Sequence, residues 1–178
     1  MNFSGWERFF ERDASISDKL RVAEKPGLLR TAAIVLAHSG DSWFWLLGLV
    51  LLAWFGGDFW RSRALTLIGA ILITALVVMV VKFTVRRRRP EGEWGGIYRK
   101  TDPHSFPSGH AVRAVMLAVM ATGLGPAWFG GLLWVWAPLV VLARVAMGLH
   151  YLSDVLAGAL LGLLMGGIIL RFLPPSLF

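Results

Sequence analysis

This 178-residue chain contains no cysteine, which excludes disulfides and cysteine–zinc sites and leaves its redox compartment unmarked. It is also poor in charge, at 16%, and basic residues outnumber acidic ones 18 to 11, for a net charge of +7. No stretch interleaves those basic residues with aromatics as a nucleic-acid reader would, so no nucleic-acid partner is expected. Anionic lipid headgroups or a phosphate-bearing substrate suit the excess better. The sequence offers no carboxylate cluster to hold a metal, so side-chain cations must meet any phosphate charge. The first 27 residues carry many charges and no apolar core, and no cleavable signal peptide is predicted. What the chain has in quantity is apolar weight. Hydrophobic residues reach 56%, with nine Trp against two Tyr, and the mean hydropathy is +0.63. A soluble domain of this length rarely carries so much, and a bilayer is the expected setting.

Residues 1–27 read as a charged arm on the membrane interface, with Phe3, Trp6, Phe9 and Phe10 as its apolar contacts and Pro26-Gly27 as its end. Residues 28–178 read as one membrane-embedded domain. Its first segment, Leu28 to His38, is apolar except for Arg30. It is too short for a hydrocarbon core about 30 Å thick and is predicted to be interfacial or re-entrant. Ser42 to Gly57 is a short span with Trp43, Trp45 and Trp54 as anchors, and Ala64 to Val81 is a second. Ala114 to Ala143 is too long for one span, and Gly123-Leu124-Gly125-Pro126 divides it into a helical hairpin. Val155 to Leu170 is the last, with Gly158, Gly162 and Gly166 forming a smooth face for a close helix partner. The expectation is an all-α membrane protein, a bundle of about five spans, or six if Leu28 to His38 crosses.

With that topology three polar segments share one membrane side. The first is Lys82 to Pro90, in which Arg86, Arg87 and Arg88 read as a basic cluster snorkelling to headgroups. Lys82 differs, because an ammonium on the last turn of an apolar helix is expensive without a partner or a task. The second is Ser105-Phe106-Pro107-Ser108-Gly109-His110, a bend before an apolar helix. Its amides and the positive helix end would cradle an anion, with His110 in the first turn able to give a proton. The third is Arg144, His150 and, four residues later, Asp154, which is spaced to touch the imidazole and fix its tautomer. Taken singly, each segment also fits an ordinary helix cap or interfacial histidine. Together they assemble cations, two imidazoles, an aspartate and a glycine bend, the parts needed for phosphoryl transfer through a histidine.

These residues resemble the type 2 phosphatidic acid phosphatase superfamily, which also includes vanadium haloperoxidases and bacterial acid phosphatases. Lys82 to Pro90 matches its K-x6-R-P motif, Pro107 to His110 its P-S-G-H motif, and Arg144, His150 and Asp154 its S-R-x5-H-x3-D motif, with Ala143 in place of the serine. The resemblance implies a metal-independent lipid phosphatase with no cofactor. His150 would be the nucleophile, Asp154 its orienting partner and His110 the general acid. Lys82, Arg89, Ser108, the Gly109 amide and Arg144 would bind phosphate. The phrase Pro-Ser-Gly-His-Ala-x-Arg looks like the polyisoprenoid diphosphate phosphatases and makes Arg113 a candidate contact for a second phosphate. Asp102 and His104 would line the entrance. The substrate would be a lipid phosphate, either phosphatidate-type or a polyprenyl (di)phosphate. The location implied is the inner cell membrane with the site on the outer face, although positive-inside counting of the arm points the other way. Two alternatives belong to other classes: an intramembrane serine hydrolase built on Ser108, His150 and Asp154, and a non-catalytic phospholipid-binding protein. A vanadate-dependent peroxidase would use the same cradle, but the spans speak against it.

Overall fold

The computed structural model of the chain describes residues 5–23, 25–92 and 102–177; Phe3 of the expected arm lies outside them. The described helices are α1 (Gly5–Leu20), α2 (Leu28–Ser39), α3 (Ser42–Phe55), α4 (Asp58–Val85), α5 (Gly109–Leu124), α6 (Ala127–Ala146) and α7 (Leu152–Phe172). The expected breaks fall where the chain chemistry requires them. Arg86 adopts a left-handed conformation (φ 52°) that ends α4. Gly125 closes α5, and Pro126, unable to continue a helix, stands as the N-cap of α6.

By length and composition α4, α6 and α7 each suffice to cross a membrane. Helices α2 and α3 meet at 52° around Gly40 and Asp41 and form a fourth, broken crossing or a re-entrant pair, and α5 is a shorter apolar helix. The expected set of five therefore includes α5 and the bent pair. Alone, α2 rises only about 18 Å and makes no sixth crossing of its own. Leucines and valines stay exposed along the outer faces, among them Leu76, Val135 and Leu160, as they must in a protein solvated by acyl chains.

In lipid, apolar burial gives helices little reason to associate, and close backbone packing takes over. The seam between α5 and α7 shows how. A Cβ at Gly158 would come within 2.8 Å of the Ser108 carbonyl, at Gly162 within 2.5 Å of the Val112 carbonyl, and at Gly166 within 2.8 Å of Val119 Cβ. Glycine at every fourth position lets α7 lie against α5, and the contact brings the Ser108 N–H to the Asp154 carbonyl at 3.0 Å. Two of the three polar segments are thereby joined.

Helix α1 docks at the same end. Its aromatics Trp6, Phe9 and Phe10 point outward, whereas Asp13 and Ser17 are buried against the bundle. Ser17 Oγ accepts the Leu152 N–H at 2.8 Å. Helix α1 thus turns its aromatics outward while its polar residues bond the start of α7.

Candidate active site

The polar segments converge on a cavity of about 500 Å³. It is lined by Lys82, Asp102, Gly109, His110, Arg113 and His150 among polar groups, and by Ile71, Ala75, Val78, Met79 and Met116 among apolar ones.

His150 lies in the turn between α6 and α7 and is 1% exposed. Its Nδ1 is 2.8 Å from the Ser105 carbonyl, which only accepts, so Nδ1 carries the proton. Nε2 is thereby left as an acceptor and takes the Arg89 Nη1–H at 3.0 Å. Burial pushes the imidazole well below its ordinary pKa, and the charges of Arg89, Arg144 and Lys82 push the same way. The ring is neutral, with its lone pair turned toward cations. Asp154 Oδ2 stands 3.7 Å from Nδ1, farther than the Ser105 carbonyl. The aspartate itself is fully buried, accepting the Tyr151 N–H at 2.9 Å, which begins α7, and Arg87 Nη1 at 2.7 Å. Sequence spacing brings Asp154 next to His150; the hydrogen bond that sets the tautomer comes from a backbone carbonyl.

Lys82, Arg89 and Arg144 are each under 5% exposed. Lys82 Nζ donates to the His104 carbonyl at 3.0 Å and to Asp102 Oδ2. Arg89 donates from Nε to the Asp102 carbonyl and from Nη2 to Asp102 Oδ2, both at 2.7 Å, and from Nη1 to the Leu149 carbonyl at 2.9 Å. The Asp102 carboxylate therefore joins Lys82 and Arg89.

Ser108 is the N-cap of α5 but makes no side-chain cap bond. Its buried Oγ has no hydrogen-bond partner among the described residues, so the hydroxyl remains available to a ligand. Gly109 opens the helix beside it, and His110 follows in the first turn with Nε2 2.7 Å from Asp41 Oδ1. Arg113, one turn on, also lines the cavity and binds the turn between α2 and α3. It donates from Nε to the Gly40 carbonyl at 2.8 Å, from Nη2 to the same oxygen, and from Nη1 to Ser42 Oγ at 2.5 Å.

Residues 63–177 match the model of the PAP2 superfamily, which is well over half of the chain. The chain belongs to the PAP2 superfamily. It is 32% identical over 152 residues to a decaprenylphosphoryl-5-phosphoribose phosphatase of Mycobacterium tuberculosis, covering 83% of this chain and 82% of that protein. An undecaprenyl-diphosphatase of Sulfolobus acidocaldarius is 31% identical over 132 residues, covering 72% and 63%. Among solved structures, a transmembrane PAP2-type phosphatidylglycerolphosphate phosphatase from Bacillus subtilis superposes with a TM-score of 0.74 at 26% identity, covering 93% of this chain and 86% of that one. The protein is an integral membrane phosphatase of PAP2 type.

Within this PAP2 site, Ala143 stands where the family motif has serine. It is buried in an apolar cluster with Ala33 and Ala37 of α2 and with Met147 and Leu149. Four contributors escape motif reading. Asp41 lies between two apolar helices, far from any motif. Asp102 was placed only at the entrance. Arg87 was grouped with its snorkelling neighbours, yet it donates to Asp13 at 2.6 Å, Ser153 at 2.6 Å and Asp154 at 2.7 Å. Asp13 belongs to the arm. The signal for Arg87 is visible afterwards: Arg86 turns left-handed and outward, which rotates the next residue back into the bundle.

Proposed function

We propose that this protein hydrolyses a lipid phosphomonoester or diphosphate through a phosphohistidine, without a metal ion. The observation that carries the reading is the neutral His150, whose Nε2 lone pair meets the Arg89 cation beside a cavity lined by both polar and apolar side chains. Nε2 attacks phosphorus as the P–O bond to the lipid breaks, and the leaving oxygen takes a proton from His110. Lys82, Arg89, Arg144, the Ser108 hydroxyl and the Gly109 amide hold the phosphoryl oxygens and meet the charge that grows on them. Water then attacks the phosphohistidine, His110 accepts its proton, and phosphate leaves. The apolar wall suits an acyl or prenyl chain entering from the bilayer. The names of the relatives, which act on polyprenyl and glycerol lipid phosphates, support the same substrate class.

A serine hydrolase needs Ser108 Oγ bonded to an imidazole, whereas here His150 spends both nitrogens on Ser105 and Arg89. The test is phosphate release from phosphatidate, phosphatidylglycerophosphate and polyprenyl mono- and diphosphates in detergent with EDTA. Turnover that survives EDTA and disappears in His150→Ala supports the reading, and His150→Ala protein that still turns over overturns it.

The site is further proposed to open on the outer face of the inner cell membrane, as the family resemblance implies. Arg8, Arg12 and Lys19 of α1 share its end and count toward the cytoplasm by the positive-inside rule. Because the chain lacks cysteine, a single cysteine at the exposed Glu91 decides the matter. Labelling by an impermeant maleimide in sealed right-side-out vesicles supports the outer face; labelling only after lysis reverses it.

A further inference from the structure

Asp41 occupies the N-cap position of α3, where an aspartate ordinarily bonds the free amides of its own helix, yet it makes no such bond. Its carboxylate turns away. Oδ1 accepts His110 Nε2–H at 2.7 Å, while Oδ2 meets His38 Nδ1 at 3.1 Å and Trp43 Nε1 at 3.3 Å. A preferred cap has been given up for a contact with the site, and the turn that carries it is fastened from three helices. Arg113 of α5 binds the Gly40 carbonyl and the Ser42 hydroxyl on either side of Asp41. Trp45 of α3 donates to the Ser39 carbonyl at 2.9 Å, and Trp136 of α6 donates to Ser39 Oγ at 2.8 Å. The backbone presses on the imidazole itself, since a Cβ at Gly40 would meet Val140 Cγ1 at 3.0 Å and His110 Cδ2 at 3.3 Å.

A general acid in this place faces an electrostatic difficulty. Lys82 of α4 lines the same cavity as His110, and the charges of Arg113 on its own helix and Arg144 on α6 both act on it. A protonated ring among these cations needs an anion in contact. Among the described residues Asp41 is the carboxylate within hydrogen-bond distance, and the half-exposed His38 is its second partner. Because the carboxylate only accepts, His110 Nε2 must carry a hydrogen toward it, and Nδ1 becomes the nitrogen that serves the leaving group.

Resting on the phosphatase reading above, we propose that Asp41 is the positioning residue for the general acid His110, and that Arg113 fixes the turn that delivers it. In the first step the proton passes from His110 Nδ1 to the lipid oxygen as its bond to phosphorus breaks. Asp41 keeps its charge and its hydrogen bond throughout and takes no proton. Arg113 then contributes to catalysis through the backbone of Gly40, at two removes from the phosphate.

The experiment compares leaving groups. Loss of an assisted proton transfer costs turnover of an alkyl lipid phosphate about a hundredfold, but matters much less for p-nitrophenyl phosphate, whose departing phenolate needs little protonation. Asp41→Asn, close in size, is expected to lower single-turnover cleavage of the lipid phosphate at least tenfold more than the nitrophenolate burst. In a His110→Ala background the same change is expected to add little. Arg113→Gln is expected to show the same leaving-group selectivity in weaker form. Equal losses on both substrates, with unchanged melting temperature, would reduce Asp41 to a structural residue and overturn the proposal, as would no loss on either. An Arg113→Gln protein impaired only on diphosphates would overturn the clamp and make Arg113 a second-phosphate contact. If His150→Ala retained turnover, the phosphatase mechanism itself would fail, a result distinct from all of these.

Discussion

Arg87 donates from Nη1 to Asp154 Oδ1 at 2.7 Å, and the carboxylate it holds stands directly behind His150. The same guanidinium reaches Asp13 from Nη2 at 2.6 Å and lies 4.0 Å from the centre of the Tyr151 ring. Asp13 in turn accepts the Ser153 N–H at 3.0 Å and its hydroxyl at 2.5 Å. The N-terminal arm is thus wired to the proposed nucleophile through one arginine. A planar fork that serves two carboxylates is not replaceable by an ammonium. Arg87→Lys is expected to lower kcat roughly tenfold or more, by analogy with the loss of carboxylate or carbonyl partners behind metal-bound histidines. Asp13→Asn should produce a smaller fall in the same direction. Steady-state kcat beside a melting curve separates this from simple unfolding.

Asp102 yields the opposite sign. Its carboxylate touches Lys82 and Arg89, two of the cations proposed to hold phosphate. An incoming phosphate has to displace that contact or suffer its repulsion. Because Asp102 is 39% exposed at its side chain, the interaction is screened and amounts to about 1 kcal/mol. Asp102→Asn should therefore lower KM for the lipid phosphate, and the inhibition constants of inorganic phosphate and vanadate, by roughly three- to tenfold. Weaker inhibition by both anions would show that Asp102 holds the cations in place for the phosphate.

The pH dependence follows from His150. Its pKa is depressed first by burial and then by Arg89, Arg144 and Lys82. A depressed imidazole stays neutral, and so nucleophilic, as pH falls below the ordinary histidine value of about 6.5. Phosphoenzyme trapped by rapid quench should form nearly as fast at mildly acidic pH as at neutral pH. Stability follows the same sign. The unfolded chain takes up a proton at His150 where the folded one does not, so folding free energy declines as pH drops through the unfolded value toward the folded one. A burst rate that halves near the ordinary histidine pKa would show that the ring is not held neutral.

How much of this was legible in sequence depends on whether a residue's partner lies in the same local pattern. Lys82, Arg89, Ser108, His110, Arg144, His150 and Asp154 come from three short segments whose spacing shows where polar groups return to one membrane side; Lys82, His110 and His150 line one cavity, and Arg89 and Asp154 stand against His150. The glycine face of α7 was equally plain, since a period of four on a helix has one geometric meaning. Asp41, Asp13 and the redirected Arg87 were not. Their partners lie 69, 140 and 67 residues away in the chain, and only the bend at Gly40 and the docking of α1 bring them in. Arg113 was visible as a cation near the site, but its target is a backbone carbonyl, which no side-chain pattern announces.

The seam between α5 and α7 allows a graded test. At Gly158, Gly162 and Gly166 an added methyl meets a backbone carbonyl or a Cβ at 2.5–2.8 Å, none of which is the loose end of a side chain. Each alanine substitution should therefore cost about 1–3 kcal/mol of stability through overpacking. Gly167, whose new Cβ would have nothing within 4 Å, should tolerate alanine within about 0.5 kcal/mol. Activity should respond differently from stability. Gly158 presses on the carbonyl of Ser108, itself a proposed cradle residue, while Gly166 presses on Val119 and Met116, well down the helix. Melting temperature in detergent is expected to fall for all three, whereas kcat should fall most for Gly158→Ala and least for Gly166→Ala. A uniform loss of kcat would mean that the seam acts on the site only through the stability of the bundle; a graded loss would show that the helix contact sets the position of the phosphate cradle relative to Asp154.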